Sequence, residues 1–164
     1  VLPEPTSIEN AYVFIKTMMI ELLNNIGMRL NAEDEVQEIR SALMNAGGSL
    51  SNSYADCLRT MAQSYPELIG LMFSAMRGRN LGIIVNQSRS QNDIDIGTSM
   101  NQICRQYFGL QADFLGYLNY DDTAWKSLRN RRLLTVDFPH CLLAKRITKV
   151  ALNSLALLGY YGGS

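Results

Sequence analysis

The stretch from Leu81 to Pro139 constrains the fold more than any other part of the chain. Two short apolar runs, Leu81 to Val85 and Ala112 to Leu118, each stop at a polar loop, and a segment with helical spacing separates them. This order is typical of a βαβ unit, in which a helix connects two parallel strands. Ligands of such sheets bind just beyond the carboxyl ends of the strands. We therefore predict a ligand site at the two loops, Asn86 to Arg89 and Asn119 to Asp122.

Charge and cysteine content exclude several classes of site. Fifteen basic and fifteen acidic side chains give zero formal net charge, so no overall field attracts nucleic acid, and no sequence-specific nucleic-acid partner is expected. Cys57, Cys104 and Cys141 lie far apart in the sequence, and His140 is the one histidine that could assist them. This spacing indicates neither a metal centre nor a disulfide framework, and an odd number of thiols suits a reducing cytoplasm.

Helical segments outnumber strands along the chain. A helical stretch of about residues 27 to 79 precedes the first apolar strand, and Val1 and Leu2 add only the end of one further strand. Two-stranded parallel units are marginal, and a sheet of this kind usually holds about six strands. The predicted fold class is therefore a helix-rich α/β fold with a partial parallel sheet flanked by helices. We expect the chain to be the carboxyl-terminal part of one larger domain, with residues 27–79 as a helical insertion and the missing amino-terminal half as its partner.

The end of the chain predicts one more helix. Leu133 to Val136 is predicted to be extended, and a final helix is expected after Pro139. Basic residues precede an apolar run in this helix, a pattern that resembles an interfacial helix. The same helix must also cover the sheet, so we expect core packing as its main role and at most weak attachment to a membrane. Its predicted inward stripe consists of Leu143, Ile147, Val150, Ala151 and Leu158.

A basic cluster and a tryptophan follow the second polar loop. Arg129, Arg131 and Arg132 could meet a phosphate, an acidic partner or a second subunit. The simpler interpretation is a solvated helix end whose charges favour the helix dipole. Trp125 has helical spacing with Leu128, which predicts a packing anchor against the sheet rather than a platform for stacking a base.

Four short segments together resemble the carboxyl-terminal half of MinD/ParA-type ATPases, close to the flagellar-number regulators FlhG and FleN. They are residues 3–7 (PEPTS), 85–89 (VNQSR), 115–122 (LGYLNYDD) and 129–132 (RNRR). The resemblance covers Pro3 to about Lys16 and Leu81 to about Leu152. It implies a P-loop NTPase-type sheet, ATP and Mg²⁺ as cofactors, and a homodimer. The implied function is an ATP-dependent switch that places the division site, chromosome or flagellum in bacteria, in the cytoplasm or peripheral to the inner membrane.

The resemblance also implies which residues meet the base. Asn86 would face the adenine edge, and the loop after the next strand would lie along the base. The adenine-side residues implied in this way are Asn86, Gln87, Arg89, Leu118, Asn119, Tyr120 and Asp121. A carboxamide offers both a donor and an acceptor, which suits adenine, and the aspartate of guanine-specific proteins is replaced here by Arg89. The family usually has proline where this chain has Asn119, so the loop is less fixed. Alternatively, Asn86 is a strand-end turn residue that bonds its own backbone.

The phosphate chemistry of an ATPase is missing from this chain. No Gly-x-x-x-x-Gly-Lys-Ser/Thr loop occurs, so no such loop cradles phosphates or places a hydroxyl on magnesium. In the family that loop, its lysine and the catalytic aspartate precede the matched part. We therefore predict no catalytic and no metal-binding residue here. The alternative is a non-catalytic protein–protein interaction module, in which the helical insertion presents a partner surface and the nucleotide-binding fold is vestigial.

Overall fold

The computed structural model describes residues 1–46, 53–77 and 81–160. Residues 47–52 and 78–79 of the predicted insertion lie outside these ranges. Within them the chain forms eight helices and two strands. The helices are α1 (Pro5–Leu30), α2 (Glu33–Asn45), α3 (Tyr54–Ser64), α4 (Pro66–Arg77), α5 (Gln91–Tyr107), α6 (Asp122–Arg129), α7 (Leu134–Asp137) and α8 (Leu142–Leu157), and the strands are β1 (Leu81–Ser88) and β2 (Ala112–Asn119).

The chain divides into two compact units. The sheet unit comprises Val1–Ile8, Leu81–Asn101 and the chain from Ala112 onward, and the helical unit comprises Glu9–Asn80 and Gln102–Gln111. The predicted helix-rich α/β class is confirmed, with a small parallel sheet of two strands among the described residues. None of the helices in residues 1–46, 53–77 and 81–160 combines the length and hydrophobicity needed to span a bilayer.

The structure has the predicted βαβ arrangement. β1 and β2 are parallel, with Leu81 opposite Ala112 and Val85 opposite Tyr117, and α5 connects them. The predicted end of the first strand is wrong, because β1 continues from Val85 to Ser88. The first three residues of the predicted loop, Asn86 to Ser88, therefore belong to the strand. The pairing of β1 with β2 shifts register between Val85 and Ser88, and this shift sets the position of the residues between them.

Val1 pairs with the edge of β1 opposite β2. The Val1 nitrogen donates to the Ile84 carbonyl at 2.8 Å, and the Asn86 N–H donates to the Val1 carbonyl at 2.8 Å. Bonds to the two neighbours of one residue, here Val85, are the pattern of a parallel ladder. Val1 thus lies where the sequence predicts the end of a further strand.

α8 covers β2, as predicted, but with a different stripe. Leu143 and Val150 are buried as expected, whereas Ala151 and Leu158 are exposed. The Asn153 side-chain amide donates to the Leu115 carbonyl at 2.7 Å, which turns Asn153 towards the sheet. Residues two apart lie on nearly opposite sides of a helix, so this bond directs Ala151 outwards. Leu158 follows the last residue of α8 and does not continue its inward face.

The segment predicted to be extended before α8 is instead the short helix α7. The N–H groups of Val136 and Asp137 both donate to the Leu133 carbonyl at 3.0 Å, and Arg132 Nε pairs with Asp137 Oδ2 at 3.2 Å. Backbone groups must find partners, and local turns satisfy them here without a neighbouring strand. The prediction of an extended segment is therefore wrong.

Aromatic rings fill part of the core of the helical unit. Phe108 is almost fully buried, and the rings of Tyr12, Tyr54 and Tyr107 surround it. Burial raises the pKa of the nearby Cys104 thiol, so this cysteine stays protonated at neutral pH. At the start of α3, Ser53 Oγ accepts a hydrogen bond from the Asp56 N–H at 3.2 Å and caps the helix.

Candidate functional site

One cavity of about 440 Å³ lies at the carboxyl ends of β1 and β2. We call it the strand-end cavity. It brings together six of the seven predicted adenine-side residues, namely Asn86, Gln87, Leu118, Asn119, Tyr120 and Asp121. Arg89 does not line the cavity, and its guanidinium lies over the Tyr120 ring, 4.0 Å from the centroid. The side chains that complete the cavity come from α6 and α8 and are Ala124, Trp125, Leu143 and Ile147.

A bulge in β1 forms the first wall of the cavity. Val85 is opposite Tyr117 and Ser88 is opposite Asn119, so β1 carries one extra residue between these pairs. Gln87 has a φ of 59°, a left-handed conformation that is uncommon for residues other than glycine. Asn86 and Gln87 are consequently both exposed, in place of the usual alternation. The bulge thus presents two neighbouring carboxamides at the strand end.

The Asn86 side chain bonds its own backbone neighbour. Its Oδ1 accepts a hydrogen bond from the Gln87 N–H at 2.9 Å, the backbone bond that the alternative interpretation expects, although Asn86 lies within β1 and not in a turn. This bond also fixes the direction of the carboxamide. The Nδ2 group donates to no other group in the described part of the chain. The same side chain can therefore shape the bulge and still offer a donor to a ligand.

The loop after β2 forms the second wall. The Tyr120 N–H donates to the Ser88 carbonyl at 2.9 Å and holds this loop against β1. Asp121 caps α6, since its Oδ1 accepts from the Thr123 N–H at 2.8 Å. Asn119 Oδ1 is shielded from solvent and has no hydrogen-bond partner among the described residues. A shielded acceptor without a donor is unfavourable, and a ligand could supply that donor only after the Asn119 side chain turns into the cavity.

Acidification should weaken the cap of α6. Hydrogen bonds from Thr123 hold the pKa of the Asp121 carboxyl below its ordinary value of 3.8. A lowered pKa in the folded state means that the carboxylate stabilises the fold above the ordinary value, and this contribution is lost as the pH falls through the folded value. We expect the Thr123 amide resonance to titrate with a midpoint below 3.8. Asp121→Asn keeps a capping oxygen and should abolish the titration, and a midpoint above the ordinary value would contradict the assignment.

The apolar wall of the cavity includes a tryptophan that was predicted to be buried. Trp125 is 63% exposed and Leu128 is 67% exposed, whereas Ser127 between them is buried. The prediction of Trp125 as a packing anchor against the sheet is therefore wrong. The spacing of Trp125 and Leu128 correctly placed them on one side of α6, but spacing does not tell which side faces the sheet. Trp125 was missed as a site residue, although α6 begins directly after the second loop.

The basic cluster does not reach the strand-end cavity. Arg129, Arg131 and Arg132 are all exposed, and none of them lines the cavity. Arg132 is paired with Asp137. Arg129 lies in the last turn of α6, where its charge favours the helix dipole, as in the simpler interpretation of the cluster.

The polar groups of the cavity suit a heterocyclic base better than a phosphate or a metal ion. They are three carboxamides, one phenol and the carboxylate of Asp121, which already caps α6. In the ranges 1–46, 53–77 and 81–160, no group of three or more His, Cys, Asp or Glu side chains could hold a metal ion. Amides and apolar side chains around one cavity are typical of sites that bind planar organic molecules.

No protein-family model, curated protein or solved structure matches this chain. The strand-end cavity and its lining residues are therefore the observations from which a function can be proposed.

Proposed function

We propose that the strand-end cavity binds the adenine base of ATP, and that the chain is the carboxyl-terminal part of a MinD/ParA-like ATPase. Such a protein would be an ATP-dependent dimerising switch for spatial organisation in bacteria. The observation that supports this best is the convergence of both predicted loops on one cavity at the carboxyl ends of parallel strands. Its volume of about 440 Å³ falls within the range of roughly 300–1,000 Å³ that small-molecule sites occupy.

The two asparagines offer complementary groups to an adenine edge. Asn86 Nδ2 is free to donate to a ring nitrogen, and Asn119 Oδ1, once its side chain turns into the cavity, would accept from the exocyclic amine of adenine. Guanine has a carbonyl oxygen in place of that amine, and two acceptors facing each other repel. The same two side chains therefore favour adenine over guanine.

In this proposal the described residues bind only the base of ATP and not its phosphates. The MinD/ParA family places its phosphate-binding loop and catalytic aspartate before the part that this chain resembles. We infer that residues in that preceding part bind the triphosphate and Mg²⁺. The reaction carried out at the triphosphate would be the hydrolysis of ATP. In this proposal the protein is cytoplasmic and any attachment to the inner membrane is weak, because α8 places Leu143 and Val150 against the sheet.

Asn86→Ala in the full-length protein should weaken ATP binding. Loss of one hydrogen bond and of the fixed bulge is expected to lower the affinity by about three- to tenfold and to reduce the preference for ATP over GTP. Equilibrium dialysis with both nucleotides measures this. Asn92→Ala is the matched control, because Asn92 is exposed on α5 and does not line the cavity. Unchanged affinity and selectivity in Asn86→Ala would show that Asn86 does not contact the base.

A non-catalytic interaction module is the second candidate. It is favoured by the exposed apolar side chains of Leu128, Leu133 and Val136, which share a short segment with the exposed Arg129 and Arg131. Such a surface suits an acidic protein partner with apolar side chains. The sequence immediately upstream of Val1 separates the two candidates. A Walker-type loop there supports the ATPase, and its absence supports the module.

A further inference from the structure

We propose that Trp125 is the stacking platform for the base in the strand-end cavity, so that the site recognises adenine nucleosides and nucleotides through their aromatic face. This inference rests on the proposed function. It adds a stacking contact between the base and Trp125, whereas the helical spacing of Trp125 had favoured packing against the sheet. Trp125 is a cavity-lining residue and is also 63% exposed. An indole in this position has a large apolar surface that only a ligand or partner would cover.

The orientation of α6 keeps Trp125 at the cavity. Asp121 caps the first turn of the helix, and the buried Ser127 faces the interior of the sheet unit. At its end, the Arg132 N–H donates to the Ser127 carbonyl at 2.9 Å. Residues two apart lie on nearly opposite sides of a helix, so the burial of Ser127 turns Trp125 away from the interior. The indole therefore lies on the exposed side of α6 and lines the cavity.

Trp125 is also the aromatic side chain of the cavity whose ring contacts no other ring and no cation among the described residues. The other aromatic side chain in the lining is Tyr120, and the Arg89 guanidinium already lies 4.0 Å from its ring centroid. Among the described residues, Trp125 takes part in no aromatic pair and in no cation–π contact. A base entering the cavity would thus find its stacking partner in Trp125.

The rest of the lining suits a planar base. Leu118, Leu143 and Ile147 supply apolar contacts, and the carboxamides of Asn86 and Asn119 supply polar groups for its edge. Stacking on an aromatic side chain does not depend on which base is bound, whereas hydrogen bonds at the edge do. We therefore expect Trp125 to set affinity and the asparagines to set selectivity.

The test uses the full-length protein, with adenosine and ATP as ligands. Trp125→Leu should weaken the binding of both by about fivefold to a hundredfold, and Trp125→Phe should restore much of the affinity. Leu128→Ala is the matched control, since Leu128 is 67% exposed on the same helix and does not line the cavity. Equilibrium dialysis measures the affinities, and circular dichroism checks that each variant is folded.

Fluorescence provides an independent readout. Trp125 is the single tryptophan in these 164 residues, so the signal that Trp125→Phe removes belongs to it. Adenosine should quench that signal if the base stacks on the indole. If ATP binds but Trp125→Leu binds it equally well and no quenching occurs, the stacking inference is overturned while the proposed function stands. If the wild-type protein binds neither ligand, the proposed function fails and the inference fails with it.

Discussion

Replacing Phe108 with alanine should destabilise the protein by about 3–5 kcal/mol, which is typical of truncating a fully buried phenylalanine. Phe108 is 1% exposed, and its ring centroid lies 6.0, 5.6 and 5.0 Å from those of Tyr12, Tyr54 and Tyr107. The variant leaves a cavity among three rings that cannot easily collapse onto it. Since whole domains are stable by only about 5–15 kcal/mol, the loss should be plain in urea unfolding followed by circular dichroism.

The matched control for this experiment is Phe14→Ala. Phe14 is 64% exposed on α1, so the same substitution should change the free energy of unfolding by less than about 0.5 kcal/mol. Phe108→Leu retains most of the buried volume and covers the case in which Phe108→Ala does not fold. Equal destabilisation by Phe108→Ala and Phe14→Ala would show that the aromatic cluster is not a core of the helical unit.

Gly116→Ala should destabilise the sheet unit by about 1–3 kcal/mol. Gly116 has a φ of +136°, a conformation that residues with a Cβ rarely adopt, and a Cβ there would lie 3.1 Å from Val150 Cγ2 on α8. The substitution therefore strains the backbone of β2 and presses on the helix that covers it. Urea unfolding measures the change in stability.

The control for Gly116 is another glycine, Gly70 in α4. A Cβ at Gly70 would meet nothing within 4 Å, and alanine favours a helix over glycine by roughly 0.5–1 kcal/mol. Gly70→Ala should therefore stabilise the protein while Gly116→Ala destabilises it. Both substitutions add one methyl group, so changes of opposite sign in the free energy of unfolding would reflect the two sites and not the added methyl group. A stabilising Gly116→Ala would contradict the conformation described for β2.

Patterns that are local in sequence predicted much of the sheet unit. The apolar runs predicted both strands, because strands covered on both faces need continuous apolar residues, and the helical spacing between the runs predicted the connecting helix. The polar residues after each run identified most of the lining of the strand-end cavity, since parallel strands bring their carboxyl ends to one edge. The family resemblance, its ATP and its dimer remain predictions.

Features that depend on partners distant in sequence were missed. A left-handed residue in a strand usually signals glycine, so a bulge at Gln87 was not expected, and β1 was ended too early. The helical spacing of α6 also did not show which side of the helix faces the sheet. Trp125 was therefore predicted to pack against the sheet, although it is exposed. The helical spacing of the last helix did not reveal that the Asn153 amide turns towards Leu115.

The pairing of Val1 with β1 links the start of the chain to the cavity. The Asn86 N–H is held by the Val1 carbonyl at 2.8 Å, while the Asn86 side chain lines the cavity. Asn86 therefore contacts both Val1 and the strand-end cavity. By thermodynamic reciprocity, a ligand that binds better when Asn86 is held in place must tighten the docking of Val1 by the same factor. Slow hydrogen exchange at the Asn86 amide would report the pairing of Val1 with β1, and a further slowing on addition of ATP would report the coupling that the proposed function implies.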